Sequence, residues 1–127
     1  MTATTDLIGH WRLHSFVEFD EEGNPKESPL GGSPRGSLYY GADGYVSVHI
    51  MRTDSAPPPA ASYIGYTGRW RLAGDQVVHE VRIATDPTWP GSEQVRDFSL
   101  DGDELVLGRT DTVDGEPLRA RLVWHRG

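Results

Sequence analysis

Three polar side chains stand where they could meet one small molecule: His79, Gln94 and Arg96. His79 alternates with Val77, Val81 and Ile83, while Gln94 and Arg96 alternate with Phe98 and Leu100. In β-strands such alternation places each set on one face. With those faces turned inward, a guanidinium and an imidazole enter an apolar interior from neighbouring strands. A buried charge is costly unless it is paired. Few carboxylates share these faces, so Arg96 needs a carboxylate, backbone carbonyls, or the enolate, carboxylate or ketone of a ligand. An imidazole titrating near neutrality could carry a proton to or from that ligand. His79 and Arg96 are therefore the candidate catalytic pair. Alternatively, the three side chains satisfy one another and the backbone and only fix strand register.

Gln94, Tyr40, Tyr66, Trp70, Trp89 and Phe98 are the candidate ligand contacts. Tyr40 and Tyr66 offer hydroxyls to a ligand oxygen, or else are buried and bonded to the backbone. Trp89 stands between Pro87 and Pro90 in a loop, which suits a cavity mouth, whereas Trp11 reads as core. Of the 5 histidines (His10, His14, His49, His79, His125) none shows HxH spacing, and the HxxxH pair His10 and His14 falls on a strand, where four residues span about 13 Å, so no metal site is expected. Asp101-Gly102-Asp103-Glu104 resembles the start of a calcium loop but lacks the later ligands, and a hairpin turn explains it better. Serine-centred hydrolase elbows and phosphate-binding glycine loops are missing, and no cofactor is called for.

The elements that must position these residues are short strands. Residues 35–52 read as a hairpin, with aromatic and β-branched arms around Ala42-Asp43-Gly44, a turn that tolerates positive φ. Its strands fall near 36–41 and 44–52. In the second, hydrophobicity sends Val46, Val48 and Ile50 inward and Ser47 and His49 outward, an orientation that one bulge would reverse. Thr4, Thr5 and Asp6 can cap a helical turn through Leu7 and Ile8. A first strand follows at 10–19, with Trp11, Leu13, Ser15 and Val17 as the more apolar, inward set. A polar loop is expected over 20–34. Further strands are read at 63–72, 76–84, 94–100, 104–110 and 117–125, separated by Gly- and Asp-rich turns and by the Trp89 loop at 86–91. The 53–62 segment contains Pro57-Pro58-Pro59, which cannot donate to a sheet ladder. It is either a surface connection or a lid over an open barrel mouth.

Composition bounds the partners. A chain of 127 residues is one domain, and 15 Gly with 9 Pro suit many short strands. A net charge of -7 with no basic stripe excludes a general affinity for nucleic acid. Cysteine is absent, so neither disulfides nor thiolate chemistry enters. Without a signal-peptide pattern or a membrane-length apolar run, a soluble cytoplasmic protein is the expectation, with no membrane partner. A homodimer is left open.

Eight antiparallel, hairpin-linked strands describe an all-β up-and-down barrel with a short N-terminal helical turn. At this point the chain resembles the small bacterial lipocalin-like domain proteins, a calycin-type β-barrel family. Leu7-Ile8-Gly9-His10-Trp11-Arg12-Leu13, Pro34-Arg35-Gly36, Asp43-Gly44-Tyr45-Val46-Ser47, Val78-His79-Glu80-Val81 and Leu122-Val123-Trp124 carry the likeness, in order, over nearly the whole chain. The triple proline is a departure, since the family tends to have a variable, often helical connection there. The resemblance implies a fold and a pocket, though not one reaction, because similar barrels serve as carriers, domains of unknown role, cyclases or isomerases. The expected function is binding of a small hydrophobic or aromatic, carbonyl-bearing molecule inside the barrel. Two forms follow: a cofactor-free cyclase or isomerase of natural-product biosynthesis, in which His79 moves a proton, or a non-catalytic carrier. A filled structural or dimerisation barrel is the alternative.

Overall fold

The structure, a computed structural model, describes residues 3–55, 62–113 and 116–127. One helical turn, α1 (Thr4–Leu7), precedes nine strands among the described residues: β1 (Gly9–Phe19), β2 (Pro25–Glu27), β3 (Arg35–Tyr40), β4 (Tyr45–Met51), β5 (Tyr63–Ala73), β6 (Gln76–Ala84), β7 (Glu93–Asp101), β8 (Glu104–Val113) and β9 (Glu116–Arg126). From β3 onward each strand pairs antiparallel with the next, and β1 bridges β3 and β9. Eight strands thereby close an up-and-down barrel, which removes the exposed edges an open sheet would leave. β2 is the additional strand. It lies within the expected 20–34 loop and pairs outside the closed ring with the far half of β1 (Val17↔Glu27, Phe19↔Pro25). The Pro57-Pro59 segment lies outside the described residues.

The β3–β4 hairpin forms where the Asp-Gly turn predicts it. Gly44 has φ 89°, a left-handed value that glycine adopts without strain, and Gly41 N–H donates to the Tyr45 carbonyl at 2.8 Å. Val46, Val48 and Ile50 are buried inside, whereas Tyr45, His49 and Met51 are exposed.

At one end α1 plugs the barrel. The Asp6 carboxylate accepts the Ala3 N–H at 2.8 Å and so caps the turn, while Leu7 is fully buried. The Trp11 indole donates to the Leu7 carbonyl at 2.9 Å. Arg126 lies over the Trp11 ring at 4.1 Å and donates to the carbonyls of Ile8 and Asp6 at 3.0 and 2.7 Å. These contacts tie the two ends of the chain together.

Two bulges change which residues face inward. In β1 the pairing with β9 steps from Leu13↔Trp124 to Ser15↔Val123, which leaves His14 as an extra residue. Trp11 is inward before this step; Phe16 and Glu18 are inward after it, so the expected Trp11-Leu13-Ser15-Val17 face is only half kept. In β6 the step falls between Val81 and Ile83, with Arg82 extra. Ile83 is therefore 67% exposed rather than sharing the inner face of Val77, His79 and Val81. Gly68 makes the second bulge sterically feasible, because a Cβ there would lie 1.8 Å from the Glu80 carbonyl oxygen.

Candidate ligand-binding site

Above this plugged end the barrel is not filled. A cavity of about 200 Å³ lies between the strands, with Phe16, Leu38, Val48, Ile50, Leu107 and Leu122 forming much of its apolar wall. An apolar cavity of about 150 Å³ is known to admit benzene, so this one suits a single ring with a short substituent. Pro29 and Trp89 also line it. Pro29 is held by a hydrogen bond from Arg52 to its carbonyl at 2.9 Å, and the neighbouring Leu30 is fully buried. Trp89 sits in a loop braced by Asp86, whose carboxylate accepts the N–H and hydroxyl of Thr88 at 2.9 and 2.7 Å. Those two bonds hold the Asp86 carboxyl below its ordinary pKa.

His79, Gln94 and Arg96 all line the cavity. Alternation along β6 and β7 puts them there, and His79 pairs across strands with Gln94. Their partners divide, however. The Arg96 guanidinium donates to the Gln94 side-chain oxygen and, at 2.9 Å, to the Val95 carbonyl. His79 is instead held by two tyrosines: its Nε2 lies 2.6 Å from the Tyr40 hydroxyl and its Nδ1 lies 2.6 Å from the Tyr66 hydroxyl. The imidazole is 1% exposed. Burial, reinforced by the positive charge of Arg96, lowers its pKa from 6.5 to about 3. The sequence predicts titration near neutrality; in the barrel the ring is neutral there, with both nitrogens engaged. Burial likewise raises Tyr66 to about 12 and Tyr40 well above its ordinary value, so both phenols keep their protons.

The remaining candidates occupy different places. Tyr66 lines the cavity and meets Trp89 edge-on at 6.1 Å. Tyr40 stands behind His79, fully buried, and packs on Trp70 at 4.5 Å. Trp70 donates to the Gly41 carbonyl at 3.0 Å and belongs to the packed core rather than to the cavity wall. Phe98 packs against that core from β7, on the inner face with Gln94 and Arg96 but beyond the cavity lining.

Two functional candidates were missing from the sequence reading. Arg109 lines the cavity from β8, and its guanidinium lies 3.8 Å from the Glu18 carboxylate. The Leu105-x-Leu107-x-Arg109 alternation carried that signal. Glu18 could not be found the same way, since only the β1 bulge turns it inward. Trp124 also lines the cavity; it is 1% exposed, and its indole N–H has no hydrogen-bond partner among the described residues. No group of three metal-binding side chains is present among the described residues.

A closed antiparallel barrel around a small apolar cavity, with a few convergent polar groups, defines a β-barrel with a preformed internal cavity. The chain belongs to the lipocalin-like domain family, whose model matches residues 8–127. A structure of an uncharacterized protein from Bacteroides eggerthii DSM 20697 is similar in fold, with a TM-score of 0.53 and 14% identity over 96% of this chain and 100% of that one. No match is found among curated proteins. Among the described residues no helix is long and apolar enough to cross a membrane. The lipocalin-like barrel suggests small-molecule binding.

Proposed function

We propose that the protein binds a compact hydrophobic or aromatic molecule bearing a carbonyl or acidic group inside the barrel. The observation that carries this reading is the cavity of about 200 Å³, apolar over most of its wall yet lined by Arg96, Arg109 and Tyr66. A preformed apolar space contributes binding through desolvation, and a few polar groups set orientation. Its volume favours a one-ring ligand over a multi-ring polyketide.

One observation favours an enzymatic form of the same reading. Tyr66 is a neutral hydroxyl held at the wall by a buried hydrogen-bond chain, a geometry suited to polarising a ligand's carbonyl oxygen, as a cofactor-free cyclase or isomerase requires. In that form Arg96 contributes positive charge, and His79 acts through Tyr66 as a positioning residue. The test is electron density of the barrel interior in protein purified from its own host, followed by assay of the class of molecule seen. A compact molecule against Arg96 and Tyr66 supports the reading; an interior closed around the apolar side chains, with no cavity, overturns it.

A further inference from the structure

The hydrogen-bond chain Tyr40–His79–Tyr66 has a direction. A neutral imidazole carries one N–H and one acceptor nitrogen, so one tyrosine must donate to it and the other must accept from it. Suppose Nε2 held the proton: Tyr40 would accept, and its own O–H would need another acceptor. Tyr40 is fully buried and outside the cavity lining, and no second acceptor for it exists among the described residues. A buried donor left unsatisfied is expensive. In the opposite arrangement Tyr40 donates to Nε2, and Nδ1–H donates to Tyr66. The one spare proton of the chain is then the Tyr66 O–H, on a residue of the cavity wall.

The other polar groups of the wall have the same sign of hydrogen bonding. Arg96 and Arg109 are donors only. The Gln94 oxygen, the one side-chain acceptor in this set beyond the His79 ring, already receives the Arg96 guanidinium. We propose that the cavity selects ligands by a hydrogen-bond acceptor, with the Tyr66 O–H as the group that reads it. This rests on the binding reading above and adds its selectivity. A ketone, ester or carboxylate oxygen satisfies the Tyr66 proton; a hydrocarbon leaves it bare; an alcohol accepts, but its own proton meets only oxygens already engaged, those of Gln94 and Tyr66.

Two measurements on the full chain test this. The first uses three one-ring probes of matched size, acetophenone, 1-phenylethanol and ethylbenzene, titrated into the wild type and Tyr66→Phe. Acetophenone should bind wild type about tenfold more tightly than ethylbenzene, with 1-phenylethanol between them, and Tyr66→Phe should cut that gap severalfold. Equal affinity for ketone and hydrocarbon overturns the selectivity and leaves cavity binding standing, whereas failure of all three probes to bind overturns both. The second, independent of ligand and of variant stability, is nitrogen NMR of the wild-type His79 ring. The proton should reside on Nδ1; a proton on Nε2 would reverse the chain and overturn the assignment of Tyr66 as donor.

Discussion

The hydroxyl of Tyr66 lies 2.6 Å from Nδ1 of His79, a contact between β5 and β6 made inside the barrel and out of reach of bulk water. With the Tyr40 contact it engages both ring nitrogens of His79 at the cavity wall. The imidazole orients the phenol, and Tyr40, from β3, orients the imidazole.

That arrangement has a pH signature. The His79 pKa falls from 6.5 in the unfolded chain to about 3 in the barrel, so between those values the unfolded state holds one more proton. Stability from this group is complete above pH 6.5 and is lost as pH falls, at roughly 1.4 kcal/mol per pH unit. Denaturant unfolding of wild type and His79→Phe at pH 7.0, above this window, and at pH 6.0 and 5.0, within it, should show a steeper decline for wild type. Parallel curves would mean that His79 is protonated without penalty.

The β6 bulge makes Gly68 indispensable. Gly68→Ala would push a methyl into the Glu80 carbonyl, where 1.8 Å is available, so a loss of about 3 kcal/mol or failure to fold is expected. Gly74→Ala is the contrasting variant, because nothing lies within 4 Å of its would-be Cβ and only its φ of 66° resists substitution. A thermal melt compares them. Equal effects would show that the bulge relaxes.

Arg126 should matter more than a surface arginine. Arg126→Ala removes its stacking on Trp11 and two hydrogen bonds to the α1 segment, for an expected loss of about 1–2 kcal/mol. Hydrogen exchange at Leu7 and Ile8 should accelerate along with it. Unchanged exchange there would show that the plug holds without Arg126.

Glu18 and Arg109 face each other across the β1–β8 side of the interior at 3.8 Å, with side chains 11% and 20% exposed. Removing one charge leaves the other poorly solvated, so Glu18→Leu should cost about 2 kcal/mol. A double-mutant cycle with Arg109→Leu should show a coupling of about 1 kcal/mol. Strict additivity would mean that the two groups do not interact.

Much of the barrel is legible in the sequence because strand alternation and turn chemistry act locally. Tyr45 to Met51 shows this: burial follows every second residue from the Asp-Gly turn onward. The inward placement of His79, Gln94 and Arg96 follows from the same rule. What stays hidden depends on parity breaks and on pairing between distant strands. One extra residue at His14 turns Glu18 inside, and one at Arg82 turns Ile83 out. The two tyrosines on His79 come from residues 39 and 13 positions away in sequence, a convergence that no local pattern reports.

The proposed role of the barrel interior is to bind a compact carbonyl-bearing molecule. The most direct measurement is a calorimetric titration of acetophenone into the wild type and into Val48→Phe, which fills the cavity from its wall while keeping the residue apolar. Saturable one-to-one binding by the wild type, lost in a folded Val48→Phe, is the expected result. No binding by the wild type, or equal binding by both proteins, would contradict it.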